Sequence, residues 1–422
     1  MPFLKSLKLD GILSFPPGSE AIPLTPLNIL IGPNGSGKSN LIEGVELLHA
    51  LPTGLAAVIR RGGGVREWLW KGIDDVGNGL IDARLNLASS SRSRYGTDTS
   101  GMLGLTADTE RGSVDYYLSL TSLGQRLEIT GERIQDATVA GGLGTDGDSI
   151  YYSMNDGNAE VRLLDQRDES KIPYVLFNGR RTLARNSLKS DESVLSQLRD
   201  PQAYPELTEI AQKFAQIYSF RDWTIGRDAE VRKPQPTDLP NDSLLPDSRN
   251  LGLILNRLEH SGAWSKFNDY LSRFLPRFQR FSTRIEGGTV QFYLHEEGLK
   301  APVPATRLSD GTIRFMAILA QLLSPTPPPL ICMEEPELGL HPDAITLLAN
   351  LLQEASSRTQ LIVTTHSDIL LSALTEVADS VLVCEYRNGT VLQRVESSEL
   401  RFWLDKYRLG EIWRIGQLGG NV

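Results

Sequence analysis

The chain has 422 residues, of which 40% are hydrophobic and 23% charged, and its formal net charge is −9 at pH 7. These values are ordinary for a globular protein with more than one lobe, and they exclude nucleic-acid binding through overall charge alone. Cys332 and Cys384 lie in apolar runs, which predicts neither a disulfide framework nor a zinc site. No signal-peptide pattern or membrane-spanning run is found, which predicts a cytoplasmic protein without membrane contact.

The first predicted elements lead into a glycine-rich loop. Residues 3–31 predict two or three strands, of which the last is the apolar run 27–31. Residues 32–39, Gly-Pro-Asn-Gly-Ser-Gly-Lys-Ser, fit the P-loop pattern G-x-x-x-x-G-K-[ST] in full, and residues 40–48 predict the following helix. Because the strand–loop–helix context is complete, a glycine-rich turn that binds nothing is the minor alternative.

This loop has the composition of a phosphate site. Glycines permit a tight turn with inward-pointing N–H groups, and a helix N-terminus favours anions. Lys38 is predicted to reach the β- and γ-phosphates of ATP, and the Ser39 hydroxyl to hold Mg²⁺. The predicted nucleotide contacts here are Gly32, Pro33, Asn34, Gly35, Ser36, Gly37, Lys38, Ser39 and Asn40.

The middle of the chain first predicts an antiparallel meander over 79–175 and then a helical region. Loops are predicted at 89–101, 141–158 and 232–248. The other elements predicted here are a strand at 174–177, helices at 192–199, 205–219, 250–260 and 263–275, and a hairpin at 281–294 around Gly287-Gly288.

From residue 308 helices and strands alternate, which is typical of a parallel sheet. The predicted elements are helix 312–323, strand 330–334, helix 342–356, strand 360–365, helix 367–376 and strand 380–385, followed by an amphipathic tail at 397–415. The predicted fold class is α/β: a P-loop parallel-sheet core, an antiparallel β-meander lobe and an inserted helical lobe. The predicted lobes are 1–175, 176–300 and 301–422, which together form one composite head.

A pair of carboxylates follows the strand at 330–334. The sequence Glu-Glu-Pro-Glu at 334–337 places two acids at a strand end, and successive strand residues point to opposite sides. Glu334 can hold Mg²⁺ through water, and Glu335 can act as general base toward the water that attacks the γ-phosphate. An acidic strand end in solvent is the alternative, and the P-loop upstream makes it the minor one.

Two further segments lie near these acids in the sequence. Leu-Ser-Asp-Gly-Thr at 308–312 precedes a predicted helix: Ser309 can cap it and Gly311 allows close approach of a ligand. A capped helix start without further function explains the same residues. His366 lies at the C-terminal end of the predicted strand 360–365. Ligands of open α/β sheets bind at such strand ends, although a lone histidine is more often structural.

These motifs, in this order, resemble the ABC-type ATPase head of the RecF, SMC and OLD group. The resemblance is closest to stand-alone prokaryotic AAA_21-type predicted ATPases and is strong over 1–50 and 300–420. It rests on Walker A at 32–40, a signature motif at 308–312 with Asp310 where glycine is usual, Walker B at 331–336 with Glu334 where transporters have Asp, a D-loop region at 339–342 and His366 as the switch histidine.

The resemblance implies a mechanism. ATP would lie between two copies of the chain, in a homodimer or higher homo-oligomer, with Lys38, Glu335 and His366 as the catalytic residues of one copy. Leu308, Ser309, Asp310 and Gly311 of the other copy would contact the nucleotide, and Ser39 and Glu334 would hold Mg²⁺. A glutamine of the Q-loop is missing; by layout, Asn178 takes its place, unless residues 177–181 are a plain turn.

The motifs are compatible with three functions. The leading prediction is an ATP-hydrolysing, dimerising switch that controls a separate effector of nuclease or Toprim-like type, in phage defence or DNA maintenance. The first alternative is a RecF-like, ATP-dependent DNA clamp, with Arg60, Arg61, Arg66, Arg180, Arg181 and Arg185 as candidate DNA contacts. A transporter subunit is the second alternative, and the Glu-Glu-Pro-Glu motif and the long middle insertion argue against it. No heptad run predicts a coiled-coil arm.

Overall fold

The computed structural model of the protein describes residues 1–72, 77–87, 112–137, 150–155, 158–164, 178–183 and 187–419. The strands are β1 (Leu4–Asp10), β2 (Ile22–Pro23), β3 (Leu27–Ile31), β4 (Gly79–Asn86), β5 (Ser113–Leu123), β6 (Arg126–Asp136), β7 (Ile150–Asn155), β8 (Asn158–Leu164), β9 (Asn178–Leu183), β10 (Ile217–Phe220), β11 (Gln235–Pro236), β12 (Phe278–Glu286), β13 (Thr289–Glu296), β14 (Val303–Pro304), β15 (Leu330–Glu334), β16 (Gln360–Thr364), β17 (Val381–Tyr386) and β18 (Thr390–Arg394).

The helices, numbered in the same way, are α1 (Lys38–Ala50), α2 (Leu55–Arg61), α3 (Val65–Trp68), α4 (Val194–Gln197), α5 (Pro205–Ala215), α6 (Leu251–Glu259), α7 (Trp264–Phe274), α8 (Asp310–Leu322), α9 (Pro342–Ala355), α10 (Asp368–Ala373), α11 (Ser397–Leu404) and α12 (Leu409–Arg414). None of the helices in the described part of the chain has the length and apolar character needed to cross a membrane.

The chain divides into two compact units. The first consists of Met1–Thr25, Glu43–Gln216 and Arg387–Val391, and the second of Pro26–Ile42, Ile217–Tyr386 and Leu392–Val422. The three predicted lobes have other boundaries and stay a prediction. The second unit contains the P-loop together with the C-terminal motifs, although these are far apart in the sequence.

The first unit is built on an eight-stranded sheet in the order β2-β1-β4-β5-β6-β7-β8-β9. Its neighbouring strands are antiparallel, and buried and less buried residues alternate along β4, as in a sheet with one face on a core. The predicted meander is confirmed. The predicted loop at 141–158 is wrong over 150–155, which pair with β6, whereas the predictions at 89–101 and 174–177 lie outside the described residues.

The second unit is organised around a six-stranded sheet in the order β10-β15-β16-β3-β17-β18. The pairs from β10 to β17 are parallel, and every residue of β3 and β16 is buried, as expected when helices cover both faces. The predicted helix at 205–219 is wrong at its end: Ile217–Phe220 form β10, because pairing with Leu330–Met333 replaces the last helical turn.

A small antiparallel sheet joins this unit. β12 and β13 form the predicted hairpin, and β11 and β14 both pair with β13. The turn lies at Gly287 and Gly288, whose φ values of 57° and 76° are those that the tight primed turns of hairpins require. The α/β fold class is therefore confirmed, with a parallel core and two antiparallel sheets.

Candidate active site

Three neighbouring strands of the parallel sheet end side by side. Leu30 of β3 pairs with Thr364 of β16, and Thr364 pairs with Glu334 of β15, so the three residues form one row. The segments that follow this row leave the carboxyl edge of the sheet together, which is the edge where ligands of open α/β sheets bind. The structure thus brings the P-loop, the paired carboxylates and His366 to one edge.

The P-loop begins with a close backbone contact that only glycine permits. Gly32 has φ of 145°, and a Cβ placed on it would lie 2.1 Å from the carbonyl oxygen of Cys384 in β17. The Cys384 thiol donates to the carbonyl oxygen of Ser36 at 3.1 Å, so the end of β17 supports the loop from below. Any side chain at position 32 would lift the loop off the sheet.

Lys38 is held inside the loop. Its Nζ donates to the carbonyl oxygens of Gly32 (2.8 Å) and Pro33 (2.9 Å), and the residue is only 7% exposed. Burial lowers the pKa of Lys38, and the nearby charges of Glu335 and Glu334 act against that shift. The ammonium group therefore lies where the phosphates of a bound nucleotide are predicted, beside the unpaired N–H groups at the start of α1.

Glu334 is the last residue of β15, and both its side-chain carboxylate and its backbone carbonyl group make contacts. Its carboxylate Oε1 lies 3.3 Å from Nε of Arg221, and its carbonyl oxygen accepts a hydrogen bond of 3.0 Å from the Trp223 indole. Arg221 and Trp223 follow β10, the strand next to β15. These two residues were missed by the sequence analysis, because the end of β10 was predicted as helix.

Glu335 has an unusual backbone conformation. Its φ of 43° lies in the left-handed region, which costs a non-glycine residue about 1–2 kcal/mol. The Glu335 N–H donates to the carbonyl oxygen of Thr364 at 3.1 Å, which ties this strained residue to β16. Strain held in place by neighbouring strands is typical of functional sites.

The side chains of Glu335 and His366 face each other. Glu335 Oε1 lies 3.7 Å from His366 Nε2, and the two side chains are 42% and 36% exposed, so water reaches both. Burial, and then the charge of Lys38, lower the pKa of His366, while Glu335 opposes the shift. The imidazole is therefore mainly neutral near pH 7.

A third carboxylate, Glu337, lies beneath this pair. It is 8% exposed, and its Oε1 accepts hydrogen bonds from the Thr365 hydroxyl (2.5 Å) and the His366 N–H (3.3 Å). Among the described residues its Oε2 has no hydrogen-bond partner. Burial raises the pKa of Glu337, and the two hydrogen bonds oppose that rise. Glu337 is part of the Glu-Glu-Pro-Glu motif, but the sequence gave no indication that it binds Thr365 and the His366 backbone.

The predicted signature motif starts a helix and lies at the surface. Ser309 is the N-cap of α8, and its hydroxyl accepts the Thr312 N–H at 3.1 Å. Ser309 and Asp310 are exposed, Leu308 is buried, and Gly311 lies so close to Gly339 that a Cβ would be 2.9 Å from its carbonyl oxygen. The capped-helix interpretation is therefore correct as structure, and it leaves the polar residues accessible.

Two arginines lie near the carboxylates, Arg314 on α8 and Arg221 after β10. Arg314 donates to the carbonyl oxygen of Leu338 at 2.6 Å and lies over the Trp223 ring at 5.5 Å. With Arg221, Glu334 and Glu335 these residues line a cleft of about 420 Å³. The cleft therefore opens beside Glu335, the predicted general base.

The predicted replacement for the Q-loop glutamine, Asn178, belongs to the first unit. Asn178 begins β9, which pairs with β8 in the sheet of the first unit. The strand next to β15 is β10, and the chain leaves it at Arg221–Thr224. The last described strand of the meander is β9, and the next elements along the chain are the helices α4 and α5, so the role of Asn178 stays a prediction.

The residues at this edge fit ATP and Mg²⁺. The glycine-lined loop, Lys38 and the exposed Ser39 match the phosphates, and Glu334 supplies one carboxylate. Within the described residues no group of three or more His, Cys, Asp or Glu side chains could hold a metal ion by itself. Mg²⁺ is usually held by one or two protein groups together with substrate phosphates, and Ser39 and Glu334 are the protein groups that would hold it here.

The fold and these residues define an ATPase head of the ABC and SMC-like class. Residues 27–372 match the AAA_21 family, described as "AAA domain, putative AbiEii toxin, Type IV TA system". The chain belongs to this family, which is one of ATPase heads, and the family implies nucleotide binding.

Two named proteins are similar over part of their length. The chain is 31% identical over 127 residues to the Old nuclease of Escherichia phage P2, covering 28% of this chain and 22% of that protein. It is 25% identical over 205 residues to the chromosome partition protein Smc of Clostridium kluyveri, covering 47% of this chain and 16% of that protein. The chain thus spans under a quarter of either relative.

Solved SMC heads have the same fold. One, bound to the C-winged helix domain of ScpA, has a TM-score of 0.54 at 15% identity and covers 94% of this chain and 99% of that one. Another, from Pyrococcus furiosus and bound to the C-terminal domain of ScpA, has a TM-score of 0.55 at 14% identity, with 96% and 99% covered. At these identities the similarity concerns the fold alone.

Proposed function

We propose that the protein binds and hydrolyses ATP in a site shared by two copies, and that the ATP-driven pairing controls a separately encoded effector. The observation that carries this proposal is the row of Leu30, Thr364 and Glu334, which brings the P-loop, the acid pair and His366 to one sheet edge. Phosphoryl transfer from ATP to water is a reaction that uses all of these groups.

Each residue has a role in this reaction. Lys38 and the N–H groups at the start of α1 bind the phosphates, and Glu335 takes the proton of the water that attacks the γ-phosphorus. The bond from the γ-phosphorus to the bridging oxygen breaks, and ADP and phosphate leave. His366 orients the water from the other side of Glu335. Mg²⁺, when bound to Ser39 and Glu334, supplies positive charge that offsets the charge of the phosphates.

The surface position of the signature motif supports a shared site. Ser309 and Asp310 are exposed at the start of α8, where helix N–H groups attract anions. In the proposed dimer the Ser309 hydroxyl and the first N–H groups of α8 contact the γ-phosphate held by the other copy. Pairing then depends on ATP, and hydrolysis separates the copies.

The proposal of an effector in phage defence or DNA maintenance is supported by names alone. The family description refers to a toxin of a toxin–antitoxin system, and one relative is a phage nuclease. The net charge of −9 favours control through a protein partner over a broad DNA-binding surface. Exposed Arg60, Arg61 and Arg66 in the first unit are the observation in favour of the DNA clamp.

The deciding experiment measures mass by light scattering for the Glu335→Gln protein, with and without Mg-ATP. This substitution removes the proton acceptor and keeps the phosphate contacts, so we expect ATP to double the mass and to remain bound. The Lys38→Ala protein is the matched control, which loses its phosphate contact and stays unchanged in mass. Rapid ATP turnover by the Glu335→Gln protein would refute the role of Glu335.

Duplex DNA added to the same samples separates the two functions. A doubling in mass without DNA uptake supports a switch that acts through a protein. DNA retained with the doubled species favours the clamp, and the test is then repeated with Arg60 and Arg61 changed to Glu. No change in mass with ATP in any sample contradicts the dimerising switch.

A further inference from the structure

Arg232 is a buried cation that takes no part in the site described above. It is 4% exposed and is the last residue of the short helical turn Glu230–Arg232. Its Nε donates to the carbonyl oxygens of Ile225 (2.9 Å) and Gly226 (3.1 Å), which anchors the side chain to its own loop. The guanidinium plane is thereby fixed, and its two remaining nitrogens point in a fixed direction.

Both remaining nitrogens bind the segment that carries the signature motif. Nη1 donates to the carbonyl oxygens of Ala305 (3.1 Å) and Leu308 (2.7 Å), and Nη2 donates to the carboxylate of Asp310. The acceptors are more than 70 residues away in the sequence. One side chain therefore holds the start of α8 and the segment before it at three points.

The contact also balances the charge of the buried Arg232. Burying an arginine is costly unless every donor is paired and a counter-charge is near. Asp310 is the residue that supplies the negative charge, and its side chain is 69% exposed. A carboxylate would normally be unfavourable in a motif that faces phosphate, and its pairing with Arg232 offsets that charge.

We propose that Arg232 is a positioning residue of the signature segment Leu308–Gly311. By holding the carbonyl groups of Ala305 and Leu308, it keeps Ser309 and the first N–H groups of α8 in the orientation that meets the other copy's γ-phosphate. All three of its nitrogens donate within the chain, so Arg232 acts through this segment and touches no substrate. The proposal rests on the shared site proposed above and adds the residue that shapes its second half.

Arg232→Lys removes the fork that makes these bonds while keeping the charge, and Arg232→Gln removes the buried charge as well. We expect both variants to bind ATP as tightly as the unchanged protein and to lose ATP-driven pairing in the Glu335→Gln background. The hydrolysis rate should fall about 100-fold, as for loss of a preorganised group that stabilises the transition state. The Gln variant carries the test if an unpaired lysine prevents folding.

Arg358→Lys is the matched control. Arg358 also donates to backbone carbonyl oxygens of this region, those of Leu322 (2.5 Å) and Ser324 (3.1 Å), but at the other end of α8. Its substitution should change pairing and hydrolysis less than twofold. An equal loss in both variants would mean that any weakening of α8 suffices, which contradicts a specific role of Arg232.

Mixing of variants separates positioning from a general structural role. Arg232→Lys subunits lack a signature side and Lys38→Ala subunits lack a phosphate side, so their mixed dimer retains one complete site. With random pairing of two-fold symmetric dimers, an equal mixture should recover about a quarter of the original rate. A mixture of Arg232→Lys with Ser309→Arg subunits should recover nothing, because both changes lie on the same side.

The reference mixture of Ser309→Arg with Lys38→Ala distinguishes the two proposals. If it recovers activity and the Arg232→Lys mixture with Lys38→Ala does not, the shared site stands and the role of Arg232 is refuted. If the reference mixture itself recovers nothing at any ratio, the shared site is refuted, and the role of Arg232 is refuted with it. Loss of ATP binding in both Arg232 variants also overturns the inference.

Discussion

A buried acid fixes the backbone that carries His366. Glu337 Oε1 accepts from the Thr365 hydroxyl and from the His366 N–H, while the His366 ring faces Glu335 on the other side. The chain therefore orients this histidine from below through Glu337, and Glu335 is free to interact with water. Since burial raises the pKa of Glu337, its ionised form destabilises the folded state.

This gives a prediction for Glu337→Gln that depends on pH. The amide keeps one oxygen acceptor for Thr365 and His366 but cannot ionise. In the unchanged protein, the stability from the protonated acid is present below the unfolded pKa and is lost as pH rises through the raised folded pKa. The melting temperature of the variant minus that of the unchanged protein should therefore increase from pH 5 to pH 8.

Glu20→Gln is the control for that measurement, because Glu20 is exposed. Its effect on the melting temperature should be equal at both pH values. A Glu337→Gln difference that stays constant or decreases between pH 5 and pH 8 would show that the folded state does not raise the pKa of this acid.

Which residues of the site could be predicted depended on how far apart the interacting residues lie in the sequence. Lys38, Glu335 and His366 could be predicted as site residues because the pattern that contains each of them is contiguous in the chain. Arg232 and Trp223 were missed because their partners, Leu308 and the Glu334 carbonyl, lie 76 and 111 residues away. A single sequence carries no signal for a hydrogen bond between such distant positions.

Helix α10, which follows His366, is held in place by helix α12. A Cβ on Gly410 of α12 would lie 2.0 Å from the carbonyl oxygen of Asp368 at the start of α10. The Leu409 N–H also donates to the Thr375 hydroxyl at 3.0 Å. The backbone of α12 thus rests directly on the backbone of α10, whose N-cap is the residue after His366.

Gly410→Ala should therefore destabilise the protein, because the added methyl group meets backbone atoms that cannot rotate away. We expect a loss of about 1–3 kcal/mol, which is usual for overpacking of a tight contact. Gly262→Ala is the control, since a Cβ there has no neighbour within 4 Å, and it should change stability by less than about 0.5 kcal/mol. Urea unfolding of both proteins measures the difference, and equal midpoints would contradict the contact.

Elements with clear boundaries were predicted best. β3 lies between Pro26 and Gly32, and β15 follows a proline-rich turn, so both strands were placed correctly from the sequence. β10 was missed because Ile217, Tyr218 and Phe220 continue the helical spacing of α5. Only the pairing with β15 decides that this segment is a strand, and pairing is a property of the folded chain.

The two halves of the proposed site differ in how exposed their residues are. The phosphate side has Lys38 at 7% exposure, within a loop supported by β17. The signature side presents exposed Ser309 and Asp310 next to Leu338, which is 59% exposed. A surface that combines an exposed helix start with an exposed apolar side chain is suited to contact a second copy.

Turnover per subunit should consequently depend on protein concentration. If a complete site needs two copies, dilution separates them and leaves monomers that bind ATP through Lys38 but lack the signature contact. We expect the specific ATPase activity to rise in proportion to concentration when monomers dominate, and to reach a plateau once the mass doubles. Steady-state rates and light scattering on the same dilution series measure both quantities. Full specific activity at concentrations where scattering shows only monomers would contradict the shared site, and Ser309→Arg protein, inactive at every concentration, controls for a contaminating ATPase.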